Sequence, residues 1–436
     1  MKSLLYVAYF FPPTGGAGVQ RSVKFVRYLP DYGWTPTVVT VRKSRYWMQD
    51  ESLCAEIPTS VRVIRTQALT GLGLLDLFSA RRGGGETNVR RSGRVQGFLR
   101  NTAGWLAVPD PYVGWVPFAA RAVARALNNR SVLMTTSSPD SAHLVGLRLK
   151  GRGVPWVADF RDPWLRRMSY SPATSLHRRV HEMLESRVVR GAARIIVTSE
   201  TTRSDFLARY NWLEASRIVC IPNGYDEEDF PDPAPPAGER FVVLHLGQLN
   251  PERRIPPLLD HLEAFLGVRP EARTQTTLEI VGPHYREDEL VVQRRGLAGL
   301  VRFESALPHR EAILRLLRAR VLVLMEQESE RGGLILPGKV FEYLRAHRPI
   351  LGLLPHGAAW DLLTGLQAGC CALPSDPQSG AAYLGRCYDA FRRGVDPPGL
   401  PPAGEIQRFE RRVLTKRLAD LLDEVLQEDP APRPLA

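Results

Sequence analysis

The chain has 436 residues, 44% of them hydrophobic and 24% charged, with a formal net charge of +12. That length exceeds one ordinary core and predicts two domains, and the composition is that of a globular protein rather than a disordered or fibrous one. The five cysteines (Cys54, Cys220, Cys370, Cys371 and Cys387) make neither a Cys-x-x-Cys pair nor a Cys/His zinc spacing, which predicts a reducing compartment and no structural metal.

The apolar run 4–11 passes straight into Pro12-Pro13-Thr14-Gly15-Gly16 without a small-residue cleavage site, so it reads as a buried first strand and its loop. Strand-like runs then recur at 36–41, 61–66, 131–136, 154–160, 194–199 and 217–222, with helical patterns such as 18–29, 140–150 and 176–191 between them. A second series follows at 241–247, 278–282, 300–305, 320–325, 349–354 and 369–374. Strands alternating with helices predict parallel sheets covered on both faces, hence two doubly wound α/β domains. The segment 231–240 holds four prolines and a glycine and reads as a stiff hinge between them. The stretch 405–426 reads as a long amphipathic helix.

Charge is uneven: residues 1–230 carry 32 Lys and Arg against 19 Asp and Glu, and the remainder 26 against 27. A basic half beside a neutral one suggests an anionic partner, or merely a solvated arginine surface. Nucleic acid is not favoured, because no aromatic-interleaved platform accompanies the arginines. The Gly/Arg-rich stretch 81–95 is expected to be mobile. The segment 90–109 interleaves arginines with Phe98, Leu99, Trp105 and Leu106, a pattern suited to an anionic lipid surface. No apolar run reaches the ~18 residues that span a bilayer, so a cytoplasmic protein is expected, with peripheral attachment at the inner face of the membrane as the alternative.

Candidate site residues cluster after strands, where open α/β sheets bind ligands. Gly15, Gly16 and Gly18 follow the first strand and let main-chain amides approach a phosphate or sugar; a tight packing turn is the other reading. Asp159, Arg161 and Asp162 close the fifth strand, able to orient hydroxyls or neutralise phosphate, or else to form a buried ion network. His143, past the fourth strand, is given a minor role on the acceptor side with Asp159. In the second half, Gly247 opens a loop that leads to Arg253. Lys339 and Glu342 share a helix face in Pro337-Gly338-Lys339-Val340-Phe341-Glu342-Tyr343-Leu344, after the Gly332-Gly333 loop. A cation beside a carboxylate suits a nucleotide-sugar, and equally a capped surface helix with an internal ion pair. Arg253 and Lys339 could clamp one diphosphate. No Asp-x-Asp occurs, so arginine, lysine and amides are expected in place of a metal, with no cofactor.

Taken in order, 9–18, Pro109-Asp-Pro-Tyr-Val-Gly-Trp115, Asp159-Phe-Arg-Asp-Pro-Trp164, Ile221-Pro-Asn-Gly-Tyr-Asp226 and 337–344 resemble family 4 glycosyltransferases along nearly the whole chain. The resemblance implies the GT-B fold: two Rossmann-like domains facing across a cleft, 1–230 for the acceptor and 241–404 for the nucleotide-sugar, with 405–436 crossing back. It implies transfer of a sugar, as by a hexosyltransferase, from a nucleotide-diphosphate donor to a sugar, lipid-linked or small-molecule acceptor. The outcome would be mostly retaining, in polysaccharide, glycolipid or secondary-metabolite synthesis. Gly16 would abut the diphosphate, Arg253 and Lys339 would neutralise it, and Glu342 would be the second acid of E-x7-E, on the ribose. Arg161 and Asp162 would serve the chemistry. Two departures stand out: the first acid falls at Leu334, and Arg161 stands where the family usually has a histidine. A sugar-nucleotide epimerase and a non-catalytic partner subunit are the competing readings.

Overall fold

The computed structural model describes residues 2–43, 49–69, 107–168, 170–236, 238–251, 253–400 and 402–428. The stretch 81–95 and the basic part of the 90–109 segment lie outside these residues. Contacts group the chain into two compact units, one of Met1–Ile221 with Thr415–Ala436 and one of Pro222–Leu414.

Each unit is built on one parallel sheet, and each of the thirteen strands overlaps a run expected from the sequence. The first unit holds β1 (Lys2–Ala8), β2 (Trp34–Val41), β3 (Arg62–Thr66), β4 (Ser131–Ser137), β5 (Trp156–Phe160), β6 (Arg194–Val197) and β7 (Ile218–Cys220). They run in the order β3-β2-β1-β4-β5-β6-β7. The second holds β8 (Phe241–Leu246), β9 (Thr276–Val281), β10 (Val301–Glu304), β11 (Val321–Met325), β12 (Ile350–Leu353) and β13 (Cys370–Ala372), in the order β10-β9-β8-β11-β12-β13. Every strand pair is parallel. Central strands such as β4 and β11 are buried at every position. That is why β11 reads as an unbroken apolar run, and why β4 shows no polar–apolar alternation, its Thr135 and Thr136 being buried with the rest.

In both sheets the first strand lies beside the fourth, so the direction in which successive strands are added reverses at β1/β4 and again at β8/β11. At such a switch point the flanking loops diverge and leave an opening at the carboxyl ends of the strands. The loops after β1, β4 and β5, and those after β8 and β11, therefore carry the side chains available for chemistry.

Two expected boundaries are corrected. The chain leaves the first unit at Ile221 rather than at 230, and the Pro-rich 231–240 segment belongs to the second unit instead of bridging the two. Its Gly238 supplies what proline lacks: the amide donates to Arg318 O at 3.1 Å, and the carbonyl accepts from Arg320 Nε at 3.1 Å and Nη2 at 2.6 Å. The tail is also less uniform than expected. A short helix, Ala403–Ile406, and a 3-10 turn, Gln407–Phe409, stay with the second unit before the long helix Arg411–Gln427 begins. From Thr415 onward that helix belongs to the first unit, where Asp423 accepts from Lys2 Nζ at 2.6 Å and from Trp34 Nε1 at 3.0 Å.

Candidate functional site

In the second unit the residues singled out from sequence converge at the β8/β11 switch point. Lys339 opens the helix Lys339–Arg345, and its Nζ donates to Leu246 O, at the end of β8, at 3.1 Å. Tyr343, one turn on, donates to the same carbonyl at 3.2 Å and accepts from Leu246 N at 3.1 Å. The ammonium is thereby fixed over Gly247, whose φ is +143° and where a Cβ would lie 2.8 Å from Nζ. Only glycine meets both demands. Burial first, then the Arg253 cation, pushes the Lys339 ammonium down from 10.5 to about 7, while Glu326 and Glu342 pull the other way.

Arg253 is set by a turn in which its amide donates to Asn250 Oδ1 at 2.8 Å, and its Nη1 lies 3.4 Å from Glu326 Oε1. Glu326 follows β11 directly and is 6% exposed. A cavity of about 420 Å³ lies beside this pair, lined by Arg253, Arg254, Asp260, Glu326, Glu328 and Ser375 among others. Glu342 does not pair with Lys339, although the two share a helix face; its Oε1 accepts from His309 Nε2 at 3.0 Å instead. Leu334 is the C-cap of a short helix, Glu330–Gly333, which occupies the expected Gly332-Gly333 loop. The site therefore presents two cations, two carboxylates and a polar cavity on rigid strand ends. Such a set can hold an anion carrying two charges together with hydroxyl groups.

The first unit brings other expected residues together. Gly16 caps the helix Ala17–Tyr28 at φ +106°, which requires glycine, and Gly15 is buried beside it. Gly18 lies under Arg161: a Cβ there would meet the guanidinium Nη1 at 1.6 Å. Arg161 is held from its other side, with Nε on Ser137 O and Nη2 3.1 Å from Ser138 O. Asp162 is exposed and makes no ion pair among the described residues.

Two acceptor-side expectations are corrected. Asp159 is fully buried, with Arg21 Nη2 at 3.1 Å and a hydrogen bond from Thr136 Oγ1 at 2.8 Å. Arg21 also donates to Ile221 O at 2.9 Å, so the pair locks the first helix to the sheet and is closed to a ligand. His143 is fully buried too. Thr135 Oγ1, which accepts from Trp156 Nε1 at 2.9 Å, lies 2.8 Å from His143 Nδ1, and the ring packs 4.4 Å from Phe160. Burial holds its pKa near 3, so it is a neutral core histidine.

Four functional-looking residues were missed: Glu326, His309, Asp140 and Asp110. Glu326 had a signal, since a charged residue directly after a fully apolar strand sits at a ligand-facing end. His309 had none, because its partner is 33 residues away. Asp140 is 1% exposed, paired with Arg167, and pushed up to about 7 by burial. Asp110, within 109–115, accepts from Ser141 N and Oγ, each at 2.8 Å, and so caps the helix Ser141–Leu149 from another loop. Among the described residues no group of three or more His, Cys, Asp or Glu is placed to hold a metal ion.

Residues 17–229 match the model of Glycosyltransferase Family 4. No curated protein matches the sequence. Among solved structures, sucrose-phosphate synthase from Thermosynechococcus elongatus is similar at TM-score 0.62 and 18% identity, over 98% of this chain and 100% of that one. Anabaena HepE, solved in complex with UDP, is similar at 0.60 and 17% identity, over 97% and 100%. WaaG, a glycosyltransferase involved in lipopolysaccharide biosynthesis, is similar at 0.56 and 15% identity, over 98% and 100%. At these identities the structures establish the GT-B fold.

Two outcomes follow from the geometry. Gly18→Ala should fold normally, because a flexible guanidinium can move, yet it should displace Arg161 and reduce the protein's activity about as much as Arg161→Ala does. Assays of both variants check this, and an active Gly18→Ala protein would contradict it. For Lys339, the folded ammonium titrates near 7 and the unfolded one near 10.5. The unfolded chain therefore binds the extra proton between those values, and stability rises with pH across that window. Lys339→Met should thus stabilise the protein more at pH 6 than at pH 9, by about 1–3 kcal/mol in denaturant titrations.

Proposed function

From a chain whose residues 17–229 match the model of Glycosyltransferase Family 4 and whose fold is GT-B, we propose an enzyme that moves a sugar from a nucleotide-diphosphate sugar to an acceptor hydroxyl. The observation that carries this reading is the Lys339 ammonium held over Gly247 with the Arg253 cation near enough to disfavour its charge. Arg253 and Lys339 repel each other, and Glu326 and Glu342 offset that only in part, so a bound anion would relieve what remains. A diphosphate is such an anion. The UDP bound by the similar HepE supports a nucleoside diphosphate as its source.

As the bond between sugar and diphosphate breaks, negative charge grows on the leaving oxygens. Arg253 and Lys339 are already oriented towards that charge, so they stabilise the transition state without reorganising. They take the part that a metal plays elsewhere, and no cofactor enters the scheme. Glu342 accepts from the ribose hydroxyls. On the first unit, Gly18 gives room to Arg161, and exposed Asp162 receives the acceptor hydroxyl. Transfer proceeds with retention, the hydroxyl attacking from the face the diphosphate leaves.

The acceptor is placed at an anionic membrane surface, in cell-surface polysaccharide or glycolipid synthesis, and the enzyme on the cytoplasmic side. The similarity to WaaG supports the pathway class. The surface is supported by the helix Ser175–Gly191, where Leu176 is 68% and Met183 42% exposed. Arg179, Arg187 and Arg190 fall on the same stripe by helical spacing and are exposed, as is Arg178. Apolar side chains interleaved with arginines suit lipid headgroups better than nucleic acid. No helix among the described residues is long and apolar enough to cross a membrane.

Lys339→Ala should lower sugar transfer by about 10²–10³-fold with circular dichroism unchanged. Near-normal turnover would remove the assignment, and nucleotide release that ignores the acceptor would favour an epimerase or a hydrolase. In flotation, the protein should rise with vesicles of phosphatidylcholine and phosphatidylglycerol at low salt, and not with phosphatidylcholine alone. Arg179→Glu with Arg187→Glu should abolish it. Absence of binding at low salt would rule the membrane surface out.

A further inference from the structure

Glu342 has a partner that the transfer reaction does not itself require. We propose that His309, steadied by Asp229, is a positioning residue that aims Glu342 at the ribose of the donor nucleotide; this rests on the assignment of Glu342 to the ribose. The three side chains come from three elements of the second unit. Asp229 ends the 3-10 turn Glu227–Asp229, His309 is the first residue of the helix His309–Arg318, and Glu342 lies in the first turn of Lys339–Arg345.

His309 Nε2 donates to Glu342 Oε1 at 3.0 Å, and Asp229 Oδ2 lies 3.9 Å from Nδ1. The imidazole thus lies between two carboxylates, hydrogen-bonded to Glu342 through Nε2 and with Asp229 3.9 Å from Nδ1. A carboxylate has two oxygens, and binding one of them leaves the other to accept from outside. Glu342 Oε2 makes no hydrogen bond among the described residues, and its side chain keeps 17% exposure. One oxygen is anchored and the other is presented.

The anchor matters because of what lies one helical turn away. Lys339 is at i−3, where an unrestrained glutamate would form an ion pair with it. Such a pair would neutralise the cation meant for the diphosphate and withdraw the acceptor meant for the ribose. The structure keeps them apart: Lys339 Nζ goes to Leu246 O, and Glu342 goes to His309. Fixing the carboxylate in advance also removes rotamer freedom that binding would otherwise have to take away.

The test is ribose discrimination. Calorimetry first identifies which of UDP, GDP and ADP binds the wild-type protein most tightly, then compares it with its 2′-deoxy counterpart and with inorganic pyrophosphate. The wild type should favour the ribonucleotide roughly tenfold, the scale of one charge-assisted hydrogen bond. Glu342→Ala should abolish the preference, His309→Ala should cut it to about twofold, and the double variant should lose nothing more. His309→Gln, whose amide can donate near the position of Nε2, should restore most of it. Pyrophosphate affinity should not change in any His309 variant.

His309→Ala with wild-type discrimination, while Glu342→Ala has none, would overturn the proposal. So would a His309→Ala protein that loses pyrophosphate and nucleotide affinity alike, since that is the mark of a structural role. If Glu342→Ala itself keeps the preference, or no nucleoside diphosphate binds, the ribose assignment fails and the proposal with it.

Discussion

The site depends on one arrangement: an ammonium held against the Leu246 carbonyl, beside a guanidinium, where most of its water is gone. Two like charges in a dry setting raise the energy of the ligand-free protein, and the fold must hold them there. Tyr343 does so by taking both the amide and the carbonyl of Leu246, which ties the helix of Lys339 to the end of β8. Gly247 removes the side chain that would otherwise occupy the same space. Glu326 and Glu342 moderate the repulsion on Lys339. On the proposed reading, stability is given up locally and a bound anion would restore it.

The sheets beneath this arrangement were legible in the sequence because parallel strands buried on both faces leave long apolar runs. Boundaries were less legible. The Pro-rich 231–240 stretch reports its own stiffness, but nothing local reveals that Gly238 binds Arg318 and Arg320. The same limit explains the two acceptor-side corrections. A carboxylate at a strand end looks alike whether it faces solvent or meets Arg21 from 138 residues away. His143 follows a strand as a catalytic histidine would, and only packing against Phe160 and Thr135 shows it to be core. Lys339, Gly247 and Arg253 lie near one another because Gly247 and Arg253 share the loop after β8 and the Lys339 ammonium reaches back to Leu246 O.

The motifs that carry the family resemblance divide into two kinds. The stretch 109–115 contributes a cap, since Asp110 satisfies the first amide of the helix that follows β4. Within Asp159-Phe-Arg-Asp-Pro-Trp164, Asp159 and Trp164 are buried structure, whereas Arg161 and Asp162 face outward. The stretch 337–344 is divided in the same way: Val340, Phe341, Tyr343 and Leu344 form core, and Lys339 and Glu342 face the site. Leu334 supplies no carboxylate where the family pattern has one; the acid beside Arg253 is Glu326, from the end of β11.

A depressed ammonium that awaits an anion makes a direct demand on binding. At pH 8 a lysine titrating near 7 is mostly neutral, and a bound diphosphate should return its proton. Calorimetry of UDP binding at pH 8, in two buffers of different ionisation enthalpy, reads that proton. The account predicts uptake approaching about 0.9 proton per UDP bound in the wild type and close to none in Lys339→Met. Tight binding to the wild type with no proton taken up would contradict it.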